Sequence, residues 1–141
     1  VVTLTRRERR KLERKMAKET VIIRNELMVD AFGEPLLLAN SDGPGTFQAW
    51  TQDVLVRFLR ARNPQTAQSF VAKSMDDSER IRSIGQCIQQ VTDGHITLAE
   101  GDHRWLLKKV EETAYAVFPA EAALIKDAFQ AISSDGEAGS V

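Results

Sequence analysis

From Phe47 to Ile132, apolar residues recur at spacings of three and four, and turn-forming residues cut the pattern into segments. Phe47, Trp50, Val54, Phe58 and Ala61 share one helix face, widened by Leu55 and Leu59. Such a stripe has to be covered, because a helix of this length draws its stability from packing its apolar face. Asn63-Pro64 stops this helix and opens a second over residues 64–75, with Pro at the first helical position. Its inward residues are Ala67, Phe70, Val71 and Met75. Asp76 or Asp77 caps a third, with Ile81, Ile84, Cys87, Ile88 and Val91 inward and Gly94 at its end. Thr97-x-x-Glu100 matches a capping box and opens a fourth, with Trp105, Leu106, Val110, Ala114 and Val117 inward. Pro119 begins the last, carrying Leu124, Ile125, Ala128, Phe129 and Ile132. The expected fold is mainly α. Residues 46–132 form a helical bundle with Trp50, Phe58, Phe70, Ile84, Ile88, Leu106, Val110 and Phe129 in its core.

A chain of 141 residues is long enough to bury such a core without a disulfide or a metal. Its near-zero net charge hides a strong asymmetry. Residues 6–18, RRERRKLERKMAK, hold eight Lys/Arg and two Glu, a net of +6. The whole chain has 19 Lys/Arg and 20 Asp/Glu, so eleven bases and eighteen acids remain elsewhere, a net of −7. The residue types of the arm favour a helix, and Thr5 with Glu8 fits a capping box at its start. Only Leu12 and Met16 give it a shared apolar line, extended by Ile23 and Leu27 if the helix continues. That is too little to hold the arm alone. The expected contact residues are Arg6, Arg7, Arg9, Arg10, Lys11, Arg14, Lys15 and Lys18. Three readings stay open for them: contact with nucleic-acid phosphates, docking on an acidic protein surface such as a neighbouring copy, or a solvated helix. The arm has no aromatic residue to stack on bases.

Residues 20–40 allow two readings. One is a helix ending near Asp30; the other is a pair of short strands around Phe32 to Pro35, and some β structure is favoured. Leu36-Leu37-Leu38 after a proline suits a short extended segment. Asn40-Ser-Asp-Gly-Pro-Gly45 is the clearest loop and marks the expected boundary between arm region and body. The organisation is then 1–40, arm and connecting segment; 46–132, body; and 133–141, a flexible tail with little to pack.

Asp93-Gly-His-Ile-Thr-Leu-Ala-Glu100 is similar to the second half of an EF-hand loop, but the first and third loop positions fall on Gln89 and Val91. Calcium needs hard oxygen ligands there, so no binding is expected. His95 and His103 match no zinc spacing and read as surface histidines near a loop. Cys87, the single cysteine, sits between Ile84 and Ile88 on an apolar face and reads as a small core residue. No serine lies in a nucleophile elbow, and Gly43-Pro44-Gly45 lacks the Lys-Ser/Thr of a phosphate loop. Neither an enzyme nor a cofactor is expected.

From Asp76 to Phe129 the order of residues is Arg80-x-x-x-Ile84-Gly85-x-x-Ile88, then Ile96-x-Leu98-x-x-x-Asp102-x-x-Trp105-Leu106 and a final apolar helix. This resembles the small helical accessory proteins among the structural and assembly proteins of tailed bacteriophages. The resemblance spans under half of the chain, and Leu36 to Asn40 falls outside it. It implies a non-enzymatic role in virion assembly or as a minor virion component, in the cytoplasm or the virion, with other protein subunits as partners in a multi-copy assembly. The alternative expectation is a nucleic-acid-binding accessory or regulatory protein using the basic arm. A single base, Lys73, in the segment after Asn63-Pro64 argues against a sequence-reading helix there. No apolar run is long enough to span a membrane, and no leader of signal-peptide type is expected.

Overall fold

A computed structural model describes residues 5–9, 20–91 and 94–132. Three strands, two helices, a fourth strand and two more helices follow in order: β1 (Thr20–Arg24), β2 (Leu37–Ala39), β3 (Thr46–Gln48), α1 (Thr51–Arg60), α2 (Met75–Gln89), β4 (His95–Ala99), α3 (Glu100–Val117) and α4 (Ala122–Ala128). The expected helical bundle is therefore corrected to a mixed α/β fold with two small antiparallel sheets among the described residues. The expected flexible tail, 133–141, lies outside the described residues.

The first sheet joins distant parts of the chain. β1 is a β-branched run, Thr-Val-Ile-Ile, which packs well on a pleated surface. It pairs with β4 in the register Val21↔Leu98 and Ile23↔Ile96. Ile23, Ile96 and Leu98 are fully buried, whereas Thr97 faces out opposite Ile22. Thr97 is thus a strand residue. The expected capping box is absent, and α3 begins at Glu100 behind Ala99 without a side-chain cap. The chain returns to the free side of β1 near its C-terminal end. Ala131 bridges to Ile23, and the Ile132 N–H donates to the Ile22 carbonyl at 2.7 Å. Ile132 is accordingly an extended residue rather than part of the last helix, which starts at Ala122 instead of Pro119.

The second sheet pairs β2 with β3 through Leu38↔Phe47. Asn40 to Gly45 is the turn between them, closed by Asn40 N–H to the Gly45 carbonyl at 3.0 Å, with Gly45 at φ +98°. That left-handed backbone suits glycine. The body helix expected from Thr46 therefore begins later, at Thr51, where Asp53 Oδ2 accepts from Trp50 N at 2.9 Å.

No helix forms over 64–74. Asn63 Oδ1 accepts from the backbone of Gln65 at 2.8 Å and Thr66 at 3.3 Å, and Ser69 Oγ accepts from Ala72 at 2.9 Å. These local bonds offer the backbone an alternative to the helix ladder. Ala67 then takes φ +63°, and Arg62 bridges to Ser69. The helix expected from Asp76 or Asp77 starts one residue after Ser74, whose Oγ accepts from Asp77 N at 3.1 Å, and ends at Gln89 before Gly94.

The core lies between the β1/β4 sheet and the helices. Phe58 of α1 meets Phe129 edge to face, with ring centroids 6.3 Å apart. Ile84, Leu106, Val110 and Ile125 fill the space around them. Of the expected core, Phe58, Ile84, Leu106, Val110 and Phe129 are buried; Phe70 and Ile88 are half-buried; Trp50 is exposed.

Candidate protein-docking surface

Two polar constellations stand out, and both join α2 to α3. Asp77, in the first turn of α2, accepts from Trp105 Nε1 at 2.8 Å, Lys109 Nζ at 3.0 Å and Lys73 N at 2.8 Å. Burial alone would raise its carboxyl pKa. The bonds from Trp105, Lys73 and Lys109 prevail and bring it down to about 2. Asp102, buried in the first turn of α3, accepts from Arg80 Nη1 at 3.0 Å and Ser83 Oγ at 2.6 Å. Gly101 leaves room for that approach, since a Cβ there would lie 3.0 Å from Arg80 Nη1. Among the described residues no buried side-chain N or O lacks a partner. Both sets satisfy themselves and act as struts between the helices.

The residues singled out for metal or nucleophile chemistry are dispersed. His95 is exposed on β4. His103 is buried, contrary to expectation, with Nε2 2.8 Å from the Phe129 carbonyl oxygen. A carbonyl only accepts, so Nε2 carries the proton. Glu100 pairs with Arg104 at 2.6 Å, and Asp93 lies outside the described residues. Among the described residues no three of His, Cys, Asp and Glu gather as metal ligands would. Cys87 is half-buried, and burial followed by the negative charge of Asp102 pushes its thiol pKa up. Both effects disfavour the reactive thiolate.

The unexplained feature is apolar and lies on the surface. Leu27, Val29, Phe32, Leu37 and Trp50 are all exposed, Phe32 to 90 %. They belong to one small β assembly. Leu27 bridges to Trp50, and Val29 bridges to Pro35. Leu37 lies two residues beyond Pro35, and its register partner Gln48 lies two before Trp50. Residues two apart along a strand share a face. The intervening Met28, Leu36, Leu38 and Ala49 are buried on the other side. The core demands one face, and the other is apolar as well.

Phe32 is held out by its turn. Asp30 Oδ1 accepts from Phe32 N at 2.8 Å and Glu34 N at 3.0 Å, and Gly33 takes φ +81°. An Asx turn of this kind fixes the backbone, so the ring is displayed on an ordered support. The surroundings are mainly acidic, with Arg24 paired to Glu26 at 3.6 Å and Arg57 donating to the Ala39 carbonyl at the edges. Residues 25–56 contain Glu26, Asp30, Glu34, Asp42 and Asp53, and no Lys, Arg or His. Single exposed apolar residues are ordinary, whereas a continuous set with a charged rim marks a contact surface.

Sequence reasoning placed the site in the arm instead. Arg6, Arg7 and Arg9 are exposed in a helical turn, where Glu8 N donates to Thr5 Oγ1 at 3.1 Å and Thr5 N to Glu8 Oε1 at 2.9 Å. The capping box expected there is present. Arg10, Lys11, Arg14, Lys15 and Lys18 lie outside the described residues. No helix among the described residues is long and apolar enough to cross a membrane. No family model, curated protein or solved structure matches this chain at a significant level.

Proposed function

We propose that the chain is a structural or assembly component that works through protein–protein contacts in a multi-copy assembly, rather than through catalysis. The exposed row Leu27, Val29, Phe32, Leu37 and Trp50 carries this reading. Aromatic and aliphatic side chains held on ordered backbone are what interface centres are made of, because they gain from burial and lose little freedom. The mainly acidic residues 24–57, a net of −3, and the +6 arm supply opposite charges to steer copies together. Within this reading, the likeness from Asp76 to Phe129 supports a minor virion component or assembly factor of a tailed bacteriophage.

The second reading is an accessory protein that binds nucleic acid through the arm. Its support is the exposed turn bearing Arg6, Arg7 and Arg9. Deleting residues 1–18 separates the two when the solution mass is measured with and without duplex DNA. Loss of self-association in a chain that stays folded supports assembly. Retained self-association with loss of DNA binding supports the nucleic-acid reading and overturns the first.

A further inference from the structure

We propose that the occupant of the apolar face is the basic arm, residues 6–18, of a second copy. This deepens the assembly reading and rests on it. Charge comes first. The arm brings eight Lys/Arg against two Glu, and residues 24–57, which bear the face, bring five acids against Arg24 and Arg57, a net of −3. Opposite fields of this kind steer encounter and fix orientation over about 8–10 Å at ordinary salt.

Spacing agrees. A helix through the arm would set Leu12 and Met16 about 6 Å apart, four residues at 1.5 Å each. Leu27 and Val29, two apart along an extended segment, stand about 6.6 Å apart. Two apolar side chains on such a helix would therefore match two on the face, with cations on either side of the line to meet Asp30 and Glu34.

An arm of the same chain, if helical to Lys18, is too short to do this. A helix through Lys18 leaves one residue, Glu19, before β1 begins at Thr20. β1 then carries the chain about 13 Å further before the face begins. Even folded back along β1, such a helix places Leu12 only about 9 Å from Lys18. A neighbouring copy has no such restriction. Its arm on this face makes a head-to-tail contact, in which each copy offers one arm and one face and the chain of contacts closes or extends. Two apolar side chains make a weak contact singly, and repetition in an assembly strengthens it.

The test uses two full-length variants and their mixture. Leu12→Glu with Met16→Glu disables the arm and leaves the face. Leu27→Lys with Leu37→Lys disables the face and leaves the arm. Light-scattering mass is expected to show the parent above 15.7 kDa and each variant alone at 15.7 kDa. The equimolar mixture is expected to give a 1:1 species of twice that mass, because each variant keeps the half the other lacks. Recovery on mixing also shows that both variants are folded. A face variant that assembles as the parent does, beside an arm variant that does not, overturns this inference and leaves the assembly reading standing. A parent that is monomeric throughout overturns both. Arm and face variants that both lose assembly, with no recovery in the mixture while circular dichroism shows both folded, overturn the head-to-tail contact.

Discussion

Trp105 donates its indole N–H to Asp77 at 2.8 Å, which ties the middle of α3 to the first turn of α2. Lys109, one turn further along α3, reaches the other carboxylate oxygen at 3.0 Å. The same carboxylate accepts from Lys73 N and so fixes the irregular segment that leads into α2. One side chain thereby sets the entry of a helix and its packing partner.

Asp77→Ala is expected to cost about 2–4 kcal/mol, because it takes away the acceptor of the half-buried Trp105 N–H and leaves the Lys109 ammonium with Glu112 alone, 3.9 Å away. Asp77→Asn keeps an acceptor for Trp105 and is expected to cost less. Urea denaturation at neutral pH measures both. The folded pKa of about 2 lies below the ordinary 3.8, so the unfolded chain takes up the proton more readily. The contribution of this charge is full above the unfolded value and fades as pH falls through the folded one. It amounts to about 1–2 kcal/mol after allowance for solvent screening. The stability gap between parent and Asp77→Asn is therefore expected to narrow between about pH 5 and about pH 2. A constant gap would show that the carboxylate is not held in this way.

Ile84 and Ile88 lie on the same face of α2, but only Ile84 is fully buried. Ile84→Ala is expected to destabilise by about 2–4 kcal/mol, and Ile88→Ala by about half as much, since the neighbours of a half-buried site and water fill the space more easily. Chemical denaturation of the two variants side by side checks the order. A larger loss at Ile88 would mean that the helix is rotated.

The long helices were legible. α2 and α3 carry sustained three-and-four spacing, and Ile84, Leu106 and Val110 sit where that spacing puts them. The strands were hidden by local look-alikes. Thr97 and Glu100 have the spacing of a capping box, yet Ile96 and Leu98 also alternate at period two, and pairing with β1 decides between them. Asn63-Pro64 reads as a helix junction, and the Asn63 side chain turns it into a closed turn. The apolar face was not legible at all. Leu27-Met-Val29 and Leu36-Leu-Leu38 are apolar at every position, so period two cannot say which residues point inward. Register alone sorts Met28, Leu36 and Leu38 into the core and Leu27, Val29 and Leu37 onto the surface. The helical stripe that starts at Phe47 would point Trp50 into the core. Trp50 precedes the helix and faces out beside Leu27.

This outward face is proposed as a protein contact. The most direct measurement is sedimentation velocity over a range of concentrations, comparing the parent with a Phe32→Ser, Leu37→Lys chain. Both side chains are exposed, so circular dichroism and thermal stability are expected to stay unchanged. The parent is expected to sediment as species heavier than 15.7 kDa that grow with concentration, and the substituted chain as a monomer. Identical distributions for the two folded chains would contradict the claim.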